Sequence, residues 1–174
     1  NGWIGFVPGT LDQSSNTAFG GVGTPNGFIA PWWDDLQLAS RAFSASHALI
    51  GTAPHRARVI EVNNFSASPN LNDGGQWQIW LFETGSGIPG RFDIRVAGDL
   101  SNTYSASIGY EGITGLPSIA IDACSPACTA SDFNTRLVNR VFTVLDVAGP
   151  ELTGEIIDAP PGILAGQSGQ IDVA

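Results

Sequence analysis

Gly27-Phe28-Ile29-Ala30-Pro31-Trp32-Trp33-Asp34-Asp35-Leu36 sets two of the chain's five tryptophans beside two adjacent carboxylates, just after a run of turn formers. Rings of this size seek burial, while carboxylates seek water or a partner, so the segment needs a specific structural job. Three other stretches resemble it in density of apolar residues: Asn1-Gly2-Trp3-Ile4-Gly5-Phe6, Val59-Ile60-Glu61-Val62-Asn63-Asn64-Phe65 and Trp77-Gln78-Ile79-Trp80-Leu81-Phe82-Glu83. Together they predict an extracellular β-sandwich module and do not suggest an enzyme.

Composition sets the outer bounds. A chain of 174 residues holds one main domain, since domains usually run to roughly 100–200 residues. Hydrophobic residues make up 43%, enough for a core, while charged residues reach only 13%, about half the usual share. The surface must therefore be built largely from Ser, Thr, Asn, Gln and Gly. Glycine (22) and proline (11) punctuate the chain every few residues, which favours many short strands over long helices. There is no lysine, and seven arginines stand against sixteen acids for a net charge of −9. Such a field repels nucleic acid and anionic lipid, so neither is expected as a partner. No apolar run approaches the roughly 20 residues that span a bilayer, so membrane insertion is not expected. The absence of methionine and the opening Asn1-Gly2 suggest a start exposed by processing or fragmentation, with any secretion leader already gone.

Period-two alternation dominates the chain. In Arg91-Phe92-Asp93-Ile94-Arg95-Val96 the residues Phe92, Ile94 and Val96 share one face and the charged residues the other, which predicts a half-buried strand. Tyr104 to Tyr110 repeats the pattern with Tyr104, Ala106, Ile108 and Tyr110 together. Trp77 to Glu83 is apolar on both faces and reads as a central strand covered on both sides. Leu137 to Val147 is similar but longer, and is expected to bend. Asp12 to Thr24 and Ser66 to Gly75 read as polar loops. Leu38 to Leu49 is the one stretch with weak helical character, rich in alanine but without a convincing cap. Composition shifts at Val147-Ala148-Gly149-Pro150, so residues 1–148 are read as the module and 149–174 as a linker with two strand-like pieces, too short to bury a core alone. These two pieces are expected to add to the sheet of this domain or to a neighbouring copy.

The ordered set from Asn1 to Phe6, through Ile29 to Leu36, Ala53-Pro54-His55-Arg56, Val59 to Phe65 and Gln78 to Glu83, to Ser105-Ala106-Ser107-Ile108-Gly109-Tyr110-Glu111, resembles a family of bacterial secreted β-sandwich modules. These are similar to the nidogen-type (NIDO) extracellular domain. The resemblance covers roughly residues 1 to 147 and rests on order and spacing; Val62 stands where such modules often carry tryptophan. It implies adhesion or matrix architecture, secretion or display at the cell surface, and no catalytic set. The tail from Glu151 to Ala174 resembles the opening of a bacterial cell-adhesion-related (CARDB-type) Ig-like domain.

Candidate sites are few. Asp34 and Asp35 are consecutive, so on a strand they face opposite ways and make a poor acid–base pair. One of them is expected to cap a turn or pair with an arginine such as Arg56 or Arg58; the alternative is a calcium site with loop carbonyls, since hard cations take oxygen ligands. Asn70, Asn72 and Asp73 resemble the start of a calcium loop, but the closing glutamate is missing and a plain turn is the expectation. Trp32 and Trp33, with Trp77 and Trp80, form a candidate stacking platform for a polysaccharide, against the plainer reading that they are core. Cys124 and Cys128 enclose Ser-Pro-Ala and are expected to form a small-loop disulfide. His47 and His55 are the only histidines, and no nucleophile elbow or phosphate-binding loop accompanies them. The expected architecture is an all-β, antiparallel β-sandwich of jelly-roll character with little helix. The expected role is a non-enzymatic structural or adhesive module whose partners are other protein modules or copies of itself; a carbohydrate-binding module is the rival and a hydrolase the third reading.

Overall fold

The computed structural model describes residues 2–7, 16, 18–20, 25–38, 42–67, 74–86, 90–99, 105–123, 137, 140–145 and 153–158. Among these the chain is nearly all strand: β1 Ile4–Gly5, β2 Phe28–Trp33, β3 Leu36–Leu38, β4 Ser44–Thr52, β5 His55–Ala67, β6 Gly74–Phe82, β7 Phe92–Asp99, β8 Ser107–Glu111, β9 Ser118–Ala123, β10 Arg140–Leu145 and β11 Thr153–Asp158. A single 3-10 turn, Thr84–Ser86, interrupts them. The strands form an all-β antiparallel sandwich. A four-stranded sheet in the order β1-β2-β8-β9 packs on a seven-stranded sheet in the order β11-β10-β7-β6-β5-β3, with β4 also paired to β5.

Alternation builds the core between the sheets. From the smaller sheet it takes Ile29, Trp32 and Ile108, and from the larger Phe65, Trp77, Ile79, Phe92, Ile94, Val96, Phe142 and Val144. Every one of these is buried, and each fully covered side chain of this size contributes about 1.5–3 kcal/mol. A second cluster lies on the other face of the smaller sheet, where Phe28, Ala30 and Trp33 pack under Trp3 and Phe19. The smaller sheet is therefore apolar on both faces, as β2's unbroken burial requires.

Several expectations change here. The described part of the stretch Leu38 to Leu49 holds strand where helix was expected: Ser44–Thr52 pairs residue for residue with His55–Asn63 as a hairpin. The tight Ala53-Pro54 turn and the β-branched Val59, Ile60 and Val62 of β5 outweigh the local alanine content, a case of strand pairing overriding propensity. β7 is not half-buried, because Asp93 and Arg95 on its outer face are as covered as the core. Within the segment 137–147 the described strand is Arg140–Leu145, and the Arg140 N–H donates to the Leu137 carbonyl ahead of it. Trp77 to Phe82 does occupy an interior position, between β5 and β7, with Gln78 and Trp80 buried opposite Trp77 and Ile79. From the tail, β11 pairs with β10 and so extends this same sheet.

Candidate functional site

The decisive local event on β2 is a bulge at its proline. Ala30 pairs with Gly109 and Trp33 with Ser107, so three steps on β2 answer two on β8. Pro31 offers no N–H to a ladder and fits such an irregularity. The extra residue resets the alternation. Trp32 turns inward beside Phe65, with ring centroids 5.6 Å apart, and Trp33 turns outward against Phe28 at 5.1 Å. The Trp32 N–H, displaced from the ladder, donates to the Gly2 carbonyl at 3.0 Å. Gly2 sits at φ +64, and a Cβ there would lie 1.5 Å from the Trp32 carbonyl oxygen, so glycine is required for this closeness. Trp32 and Trp33 are 0% and 1% exposed. Neither ring offers a face to a sugar, and both take the plainer reading as core, one on each face of the smaller sheet.

Asp34 follows the bulge at the margin of the buried region. Its Oδ1 accepts the Asp35 N–H at 2.8 Å and the Ser105 hydroxyl at 3.3 Å, so it ties the end of β2 to the entry of β8. The expected arginine partners are engaged elsewhere. Arg56 makes a two-pronged ion pair with Glu83, and Arg58 donates to Nδ1 of His47 at 3.1 Å. Asp35 is exposed. Among the described residues no three His, Cys, Asp or Glu side chains are grouped as a metal would need. Residues 70, 72 and 73 and the cysteines Cys124 and Cys128 lie outside the described residues.

Burial pushes the Asp34 carboxyl above its ordinary value, against the pull of its hydrogen bonds to Asp35 and Ser105. Burial raises Glu111 likewise, opposed by the Gly20 N–H that it accepts at 2.8 Å. An acid raised in the folded state binds its proton before the unfolded chain does, so stability is gained as pH falls through the raised value toward the unfolded one. Glu83 runs the other way, because Arg56 holds it low and acid must first break that bond. Asp34→Asn is therefore expected to be most favourable relative to the parent near neutrality. The difference between the two melting temperatures should shrink as pH falls from about 7 toward 4; a difference that stays constant would rule out this account of Asp34.

A larger polar arrangement, not anticipated from the sequence, lies on the outer face of the seven-stranded sheet. Strand register places Glu61, Gln78 and Arg95 in one cross-strand row, and Trp80, Asp93 and Thr143 in the next. Asn63 donates to Glu61 at 2.5 Å, and Gln78 donates to the same carboxylate. The Trp80 indole N–H donates to Gln78 at 2.9 Å. The Arg95 guanidinium lies 4.0 Å over the Trp80 ring and reaches Asp93 at 3.5 Å. Asp93 also accepts from Thr143 at 2.9 Å and from Arg91 at 3.3 Å, while Arg91 covers the Phe82 ring at 4.4 Å. Burial pulls the Arg95 guanidinium below its usual value and Asp93 works against that pull. Asp93 and Arg95 are only 1% and 7% exposed.

Chemically this arrangement is a brace. Its carboxylates are already taken by donors, its rings are capped by guanidinium planes, and it includes no cysteine, histidine or activated serine. It joins β5, β6, β7 and β10 by side chains in addition to the backbone ladder. The sequence signal for it was the odd-numbered set Arg91, Asp93, Arg95 opposite the apolar positions of β7, read there as a solvated face. His55 opens β5 at the exposed end of the hairpin, and His47 uses its Nδ1 lone pair on Arg58, so the remaining ring nitrogen carries the proton.

Residues 1–145 match a family model described as NIDO related. No curated protein and no solved structure matches the chain.

Proposed function

We infer that this chain, which belongs to the NIDO-related family, is a non-enzymatic structural or adhesive module of a larger secreted or cell-surface protein. The observation that carries the reading is the brace on the larger sheet, in which the Glu61 and Asp93 carboxylates are taken by donors on their own and neighbouring strands, so that side chains cross-link β5, β6, β7 and β10. Buried polar groups tied across strands in this way stiffen a sheet and fix its register. The nidogen-like family supports an extracellular setting. No helix among the described residues is long and apolar enough to cross a membrane.

A carbohydrate platform would need exposed rings, and Trp32, Trp33, Trp77 and Trp80 are all buried. The reading needs no cofactor. Its test is a melt of the folded chain, alone and with soluble polysaccharides or a calcium chelator. The melting temperature is expected to be unchanged in every arm. A polysaccharide that raises it and quenches tryptophan emission would replace the scaffold reading with a binding one, and a marked fall with chelator would assign calcium to Asp34 and Asp35.

A further inference from the structure

Strand β4 is exposed along all nine of its residues, and among the described residues it pairs on one edge only, with β5. Gly51 is one of the nine, and a glycine's surface is backbone. The sequence Ser-Ala-Ser-His-Ala-Leu-Ile-Gly-Thr holds no Asp, Glu, Lys, Arg or Pro, and its register with β5 is unbroken. Charge, proline and bulges are the devices that usually blunt a sheet edge, and β4 has none of them. Leu49 and Ile50, on opposite faces of the strand, are 50% and 38% exposed.

Register shows where these faces lie. Leu49 is level with Arg58 and Leu81, and His47 with Ile60 and Ile79, so the face that carries Leu49 continues the core-side face of the larger sheet. Cover thins along it: Ile79 is buried, Ile60 partly buried and His47 exposed. The larger sheet therefore overhangs the smaller one at β4, and Leu49 lies on the overhang. Ile50 lies on the other face, level with Ala57 and Phe82.

A second copy of β4 fits this edge. About a two-fold axis normal to the sheet, two β4 strands run antiparallel, their core-side faces stay on one side, and one residue opposes itself. With Leu49 at the axis, Ile50 opposes Ala48, His47 opposes Gly51 and Ser46 opposes Thr52, so both exposed aliphatic side chains gain apolar neighbours. With Ala48 at the axis, Leu49 would meet His47 and Ile50 would meet Ser46; with Ile50 there, fewer residues would overlap. Charge permits the approach. Two copies of a chain of net charge −9 repel wherever their acids meet, but β4 is uncharged and the charged residues beside it, Arg56, Arg58 and Glu61 of β5 with the Glu83 that pairs Arg56, cancel. The Arg58 backbones of the two copies would stand three strand spacings apart, about 14 Å. Each guanidinium donates to its own His47, which lies on opposite sides of the axis in the two copies, so the two cations diverge.

We propose that two copies of this chain dimerise through β4, edge to edge about a two-fold axis at Leu49, joining their larger sheets into one continuous sheet. Backbone hydrogen bonds supply the contact and the alternate side chains its register. The interface is isologous and closes at the dimer. This names a partner for the structural module inferred above and rests on that reading for its biological use.

Sedimentation of the full chain from about 1 μM to 1 mM, the range in which weak to moderate dimers dissociate, tests it. The weight-average mass is expected to rise from 18.1 kDa and level off at twice that value. Leu49→Glu and Leu49→Lys should each raise the dimer dissociation constant about five-fold or more, because each sets like charges opposite one another at the axis. An equimolar mixture of the two variants should recover the parent's dimerisation. Only a residue opposed by its own copy gives disruption by either sign alone and recovery on mixing, and recovery excludes a folding defect in either variant. Disruption by one sign only, or a mixture no better than its parts, would overturn the two-fold contact. A mass that climbs past the dimer, or one that stays monomeric throughout, would overturn it too. A monomer whose melt ignores polysaccharide and chelator leaves the module reading standing without the dimer; a dimer whose melting temperature rises with polysaccharide leaves the dimer standing without that reading.

Discussion

Trp32→Ala is expected to destabilise the chain by about 3–5 kcal/mol, the range for deleting a fully buried large aromatic. Trp32 is 0% exposed and sits at the centre of the inter-sheet core with Ile29, Phe65 and Trp77. Its ring position depends on the Pro31 bulge and its N–H on Gly2, so neighbouring side chains have little room to collapse into the cavity. For a chain of this length the loss corresponds to a fall in melting temperature of roughly 10 °C. Trp32→Phe should retain part of the stability. A melt of Trp32→Ala indistinguishable from the parent would show that the two sheets do not pack through this ring.

Asp93→Ala should cost a similar amount for a different reason. The substitution removes little volume, but it strips Arg95 and Thr143 of their shared acceptor while both remain buried. Breaking one side of a buried ion pair costs about 3–5 kcal/mol, because the remaining charge stays desolvated. The double substitution Asp93→Leu with Arg95→Met removes both charges and should recover most of the loss, as apolar replacements of buried pairs commonly do. A double-mutant cycle measured by denaturant unfolding checks this. If Asp93→Ala and Arg95→Met add without coupling, Asp93 is not the counter-charge that holds Arg95 in place.

The contrast between these residues shows what was legible in one dimension. Phe92, Ile94 and Val96 alternate cleanly, and period-two alternation has one inexpensive explanation, so their face of β7 could be assigned from the sequence. Trp77 to Phe82 was equally readable, since apolar residues at consecutive positions place a strand between two covered faces. Ser44 to Thr52 was misread because its residues are individually indifferent to strand or helix. Only its pairing with β5 decides the matter, and pairing is a property of two segments. Trp32 and Trp33 were ambiguous for a related reason. Exposure of adjacent rings depends on where the bulge falls, and Pro31 gives a reason for a bulge without giving its consequence for each ring.

Composition and periodicity by themselves determined that this chain is an antiparallel all-β sandwich with an acidic, lysine-free surface and an aromatic core, because the segregation of apolar from polar positions is written locally and survives any arrangement of the strands. What only the tertiary structure decided was which charged residues are buried and which strands stand at the edges. Asp93 and Arg95 look solvent-facing until register sets Trp80, Gln78 and Thr143 beside them, and β4 stands at the edge of the described strands only because β5 has taken its other side. Both outcomes depend on neighbours far away in the chain, and that is information no local pattern carries.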